Sequence, residues 1–210
     1  YEMSSMWFED VMVPEGNDYI DGWADPLLNN PTADFDNTGA GYELALFGHY
    51  LSSFLDPNGA ENVINSTILR EMWESFGSNA FSAISSTLEN NYNTPFIEAW
   101  IDFISRNLYN GIYDDMENPF YYYIDQALIS PIQINLQTLE NNLNFDLNLD
   151  NKSAAIQSYQ INESISLDIT HSSDEYLGRI SIVSTSDYND IFWGTDMSHL
   201  ELESNSEIHF

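Results

Sequence analysis

Cysteine is absent from this 210-residue chain. Its absence excludes disulfides, thiol catalysis and thiolate metal sites, and leaves any zinc ion only imidazole and carboxylate ligands. Basic residues are nearly absent as well: Arg70, Arg106, Lys152 and Arg179 stand against 34 acidic residues, for a formal net charge of −30. A surface of that sign repels phosphate backbones and anionic membranes, so nucleic-acid partners are not expected. Solubility in salty water, where screening weakens self-repulsion, accounts for such an acidic coat without any bound cation. No apolar run approaches the length of a membrane span, and no signal-peptide pattern is legible. The chain opens at Tyr1 inside a helical pattern and closes at Phe210 inside a strand-like run, which leads us to expect a piece of a longer protein.

What is present is the material of a core. Hydrophobic residues make up 43%, and 5 Trp, 13 Tyr and 12 Phe exclude a disordered chain, because such chains are poor in aromatics. As far as about residue 118 the apolar pattern has the period of a helix. Met3, Met6, Trp7, Val11 and Met12 form one stripe, stopped by Pro14 and Gly16. A short helix is expected over Asp18 to Leu28, and an amphipathic one from Tyr42 through Phe54, ended by Asp56-Pro57-Asn58-Gly59. Ala60 to Trp73 and Asn79 to Leu88 read as two more helices. Thr94-Pro95 opens another, with Thr94 as N-cap and Phe96, Ala99, Trp100, Phe103 and Ile104 facing inward.

Beyond Tyr121-Tyr122-Tyr123 the period becomes two. Ile132 and Ile134, then Leu143, Phe145, Leu147 and Leu149, then Ile165, Leu167 and Ile169 alternate with polar residues, as half-buried strands do. The fold class expected is therefore α+β in two segments: an all-helical bundle over residues 1–120, then an antiparallel β-sandwich-like domain over 121–210.

The start of the chain, Tyr1-Glu2-Met3-Ser4-Ser5-Met6-Trp7-Phe8-Glu9-Asp10 followed by Pro14-Glu15-Gly16-Asn17-Asp18-Tyr19, resembles a segment of secreted bacterial zinc metallopeptidases of the gluzincin group. Gly41-Tyr42-Glu43-Leu44-Ala45-Leu46-Phe47-Gly48-His49-Tyr50-Leu51 is similar to a later helix of such proteins. The likeness extends through Trp73 and the helix at Phe96 to Phe103, and the first fifty residues carry most of its specificity. It implies a peptidase whose catalytic Zn2+ takes two His from an HExxH helix and a Glu from a following helix, leaving the fourth position for water. By resemblance, Glu2 is that third ligand. Glu9, seven positions on, shares its helix face and would line the cleft or accept a hydrogen bond next to the metal ligands. Gluzincins also use a His or Tyr outside the motif to stabilise the oxyanion, for which Tyr42 and His49 are the candidates.

The chain departs from the family in having no HExxH: His49, His171, His199 and His209 are isolated from one another. The expectation is that the motif lies upstream of Tyr1 and that these residues alone are inactive. The protein is then the later portion of an extracellular or secreted peptidase acting on protein or peptide substrates. The alternative is a non-catalytic secreted binding or surface protein that keeps a peptidase-like scaffold. Asp146-Leu147-Asn148-Leu149-Asp150-Asn151 has the oxygen spacing that opens a calcium loop, but Asn151 stands where such loops need Gly, and a strand with polar residues facing water explains it better. Asn65-Ser66-Thr67, Asn151-Lys152-Ser153 and Asn162-Glu163-Ser164 match glycosylation sequons, which arise by chance in an Asn-rich chain.

Overall fold

The computed structural model describes residues 1–30, 35, 41–77, 79–110, 122, 124–139, 152–167, 179–184, 188–193, 200–202, 204 and 206–209. The chain divides into two compact units, Tyr1–Gln133 with Asp150–Ser153 and Ile134–Leu149 with Ala154–Phe210.

The first unit is helical. Its α-helices are α1 (Glu2–Met12), α2 (Asp25–Asn29), α3 (Ala45–Tyr50), α4 (Ile68–Glu74), α5 (Ala80–Tyr92) and α6 (Phe96–Arg106). The core forms where α3 meets α6. Phe96, Ala99, Trp100, Phe103 and Ile104 fall on one face of α6, and all are buried. Phe47 of α3 meets Trp100 and Phe103 edge-on, with centroids 5.2 and 5.3 Å away, and Phe35 meets Trp100 likewise at 5.1 Å. Burying a side chain such as Phe47 completely contributes about 1.5–3 kcal/mol, and edge-to-face geometry adds to it. At the end of α6, Arg106 is buried; its Nε donates to Asp102 Oδ2 at 2.8 Å, and Tyr50 Oη donates to the same oxygen.

Local chemistry adjusts several helix boundaries. The helix expected over Tyr42 to Phe54 forms as a 3-10 turn at Tyr42–Leu44, then α3, then a π turn at Leu51–Leu55. The one expected from Ala60 to Trp73 shortens to α4 after a 3-10 turn at Val63–Asn65, because side-chain oxygens compete for its first backbone donors. Asn62 Oδ1 takes the N–H of Ile64, and Asp56 Oδ2 takes those of Thr67 and Ile68. At α6 the cap position is Pro95, one residue later than the sequence suggests, while the Thr94 hydroxyl donates back to Tyr92 O.

The antiparallel β-sandwich-like domain expected after residue 121 is not what forms. The described residues are mostly helical, and the strands of the second unit build a mixed sheet. They are β1 (Leu136–Thr138), β2 (Ser158–Ile161), β3 (Ile165–Leu167), β4 (Arg179–Ser184), β5 (Tyr188–Trp193), β6 (Leu200–Leu202) and β7 (Ser206–His209). The sheet order is β1-β2-β7-β4-β5, with β1 parallel to β2 and the remaining neighbours antiparallel; β3 and β6 pair separately. Alternation along a strand tells which side chains share a face, but it carries nothing about the direction of the partner strand. All three β1 residues are exposed, as suits an edge. Ile132, read as part of a strand, is instead buried in the helical unit, its N–H donating to Asn107 O. The strand expected at Leu143 to Leu149 and the calcium-loop-like run at Asp146 to Asn151 lie outside the described residues.

Candidate functional site

Helices α1 and α3 lie side by side and run in the same direction. Glu2 lies beside Gly41, just ahead of α3; Trp7 lies over Gly48; and Asp10 reaches His49. The two helices pack closely here: a Cβ at Gly48 would stand 3.4 Å from Trp7 Cβ, in van der Waals contact. The indole N–H of Trp7 donates to Ser52 Oγ at 2.7 Å and ties α1 to the turn that follows α3.

This arrangement separates the four residues singled out by sequence into two pairs. Glu2 and Tyr42 belong to the leading end of the two helices, and Glu9 and His49 to the trailing end, roughly 10 Å further on at 1.5 Å per residue. They do not ring a common ion. Glu2 is 43% exposed. Tyr42 is half-buried, with its ring 4.8 Å from that of Trp23. Glu9 is exposed. His49 is buried, its ring stacked on Tyr19 at 5.1 Å and its Nε2 3.3 Å from Asp10 Oδ2.

The Asp10–His49 pair dominates the electrostatics here. Burial pushes the Asp10 carboxyl up to about 6, and the negative charge of Asp125 adds to the effect. Burial pushes the His49 imidazole down to about 3. Near neutral pH the pair is therefore a carboxylate beside a neutral ring, suited to accepting a proton or a cation at Asp10. Asp10 was not singled out by sequence, although a signal existed. It falls on the apolar stripe of α1, at helical spacing from Met3, Met6 and Trp7, where an acid must be buried.

Two other arrangements are chemically suggestive. In the second unit, His209 Nδ1 is 2.8 Å from Ser158 Oγ, and its Nε2 is 3.9 Å from Glu207 Oε2. The order serine, imidazole, carboxylate is that of a hydrolytic triad, but Ser158 is 2% exposed, so no substrate reaches its hydroxyl. The pairing follows from strand register, Ser158 lying directly opposite His209. In the first unit an open hollow of about 520 Å³ is bounded by Asp56, Glu71, Asn91 and Tyr92 among others. Its carboxylates are already engaged, Asp56 by Ser66 and by backbone N–H groups, and Glu71 by Thr67 and Asn91.

Among the described residues no three His, Asp or Glu side chains converge to hold a metal ion. His171 and His199 lie outside those residues. The described residues do not make a zinc site by themselves. No family model, curated protein or solved structure matches the chain. Among the described residues no helix is long and apolar enough to cross a membrane.

Proposed function

We propose that this chain is part of an extracellular zinc-dependent peptidase and that it contributes Glu2 as the carboxylate ligand, the two imidazoles coming from outside these residues. The observation that carries the reading is Glu2 itself. It opens the motif that continues through Trp7-Phe8-Glu9-Asp10, and its carboxylate is exposed at the first turn of α1, on a helix fixed by the Trp7–Gly48 contact. A ligand must be both accessible and rigidly carried, and Glu2 meets both demands. When bound, a zinc ion of this type polarises the scissile carbonyl and acidifies its water. The residues of this chain would supply a fixed negative charge at Glu2 and, from the same end of the helix pair, the Tyr42 hydroxyl as a donor toward the substrate.

The coding sequence ahead of the Tyr1 codon tests this reading. An HExxH about twenty residues before Glu2 supports it. A coding region without two histidines one turn apart removes it and leaves a non-catalytic secreted scaffold in its place.

A further inference from the structure

Asparagine followed by glycine is a chemically labile pair, and the chain has two, at Asn58-Gly59 and Asn110-Gly111. Glycine has no Cβ to hinder the approach, so its amide nitrogen closes readily on the side-chain carbonyl carbon of the residue before it. Asn110 is completely buried and its Nδ2 donates to Asn107 Oδ1, whereas Asn58 is exposed. With the Asn58 side chain accessible, its chemistry is decided by the main chain around it.

That main chain is fastened at several points. Asp56, Pro57, Asn58 and Gly59 form a turn in which the Gly59 N–H donates to Asp56 O at 3.0 Å and the Asn58 N–H to Asp56 Oδ1 at 2.9 Å. Pro57 fixes φ at the second position. Gly59 is buried, so close to Ser52 that an added Cβ would collide with its carbonyl. Ring closure needs the Gly59 nitrogen to lose its proton and to swing from Asp56 O onto Asn58 Cγ. The hydrogen bond retains the proton, and packing against Ser52 resists the swing. Asp56 Oδ2 meanwhile accepts from Ser66 Oγ and from the N–H groups of Thr67 and Ile68, which couples opening of the turn to fraying of α4.

We propose that Asn58 is a deamidation site gated by this turn, protected while the turn is closed and converted by water to aspartate and isoaspartate when the turn and the start of α4 open. The deprotonated Gly59 nitrogen attacks Asn58 Cγ, the Cγ–Nδ2 bond breaks, and ammonia leaves after taking a proton from water. Water then opens the cyclic imide, at the Cγ carbonyl to give aspartate or at the main-chain carbonyl to give isoaspartate. Aspartate adds only a charge to the hollow already bounded by Asp56 and Glu71. Isoaspartate routes the main chain through the side-chain methylene, so Gly59 no longer fits under Ser52 with its N–H on Asp56 O. An opening that ends in isoaspartate is therefore one-way. The proposal stands independently of the peptidase reading.

Incubation of the chain in mildly alkaline buffer with and without urea, followed by peptide mass spectrometry, tests it. In urea Asn58 is expected to react about as fast as Asn110, which shares its Asn-Gly sequence. In the folded wild type Asn58 is expected to react about tenfold more slowly or less than that. Ser66→Ala removes one bond to Asp56 and leaves Asn58 and Gly59 in place, so it speeds the reaction at Asn58 several-fold in a folded protein. Equal rates in buffer and in urea overturn the proposal. A folded Ser66→Ala and a folded Asp56→Ala that both react as slowly as the wild type overturn it as well, as does an Asn58 that stays intact in urea while Asn110 reacts. The isoaspartate form, separated after conversion in urea and returned to buffer, should melt below the variant Asn58→Asp, which carries the charge on an unaltered main chain. Equal melting temperatures overturn the one-way step.

Discussion

Asp56 and Asp10 are both buried carboxylates in the helical unit, yet their surroundings act on them in opposite directions. Burial alone would raise the pKa of Asp56. The N–H groups of Thr67, Asn58 and Ile68 and the Ser66 hydroxyl more than offset this and hold it below the ordinary carboxylate value. The stability it contributes is therefore present above that range and is lost as pH falls through it. Asp56→Ala removes the acceptor for the first turn of α4 and is expected to cost on the order of 3 kcal/mol in denaturant unfolding. Asp10 has the reverse sign. Raised from 3.8 to about 6, its contribution is fully present below the lower value and is lost as pH rises through the upper one. At neutral pH the ionised group works against folding, and Asp10→Asn is expected to stabilise the protein by on the order of 1–2 kcal/mol. His49, lowered from 6.5 to about 3, loses its contribution as pH falls through that interval, so in the wild type the two partly cancel between about pH 4 and 6. Melting temperatures across that range should then fall more steeply on acidification for Asp10→Asn than for the wild type. A parallel pair of curves contradicts the assignment.

At the scale of elements, the contacts that set the fold are close approaches that a hydrophobic pattern does not carry. Gly59 lies against the carbonyl of Ser52, where any Cβ would collide with backbone, and this pins the 56–59 turn under the π turn at Leu51–Leu55. Gly59→Ala is expected to lower stability by more than about 2 kcal/mol, read as a drop in melting temperature. An unchanged melting temperature would mean the turn is not so pinned. The inward face of α6 was legible in the sequence, because five apolar residues at helical spacing state both the element and its buried side. The shortening of the 60–74 segment was not, because it depends on Asp56 reaching donors eleven and twelve residues away. The direction of β1 was not either: its three residues are all exposed, so no apolar alternation marks the strand, and a residue pattern does not tell a parallel partner from an antiparallel one. For the candidate site, the sequence offered Glu2, Glu9, Tyr42 and His49, but the pairing of His49 is with Asp10, which only the α1–α3 seam brings within 3.3 Å.

For the whole molecule, the net charge of −30 is a destabilising influence that salt alone can change. Self-repulsion of like charges opposes compaction, and screening relieves it over about 10 Å at 0.1 M ionic strength. The melting temperature at neutral pH should rise steadily between low salt and about 0.5 M sodium chloride, and a flat or falling response contradicts a repulsion-limited fold. Function is also decided at this scale, because a zinc site of the proposed kind needs imidazoles that the described residues do not bring to Glu2. The most direct test is the zinc content of the protein expressed from its complete coding sequence, wild type beside Glu2→Ala, with peptide hydrolysis measured on the same samples. The account predicts about one zinc per chain and hydrolysis in the wild type, both lost in a folded Glu2→Ala. A wild type without zinc, or a Glu2→Ala variant that keeps both zinc and activity, contradicts it.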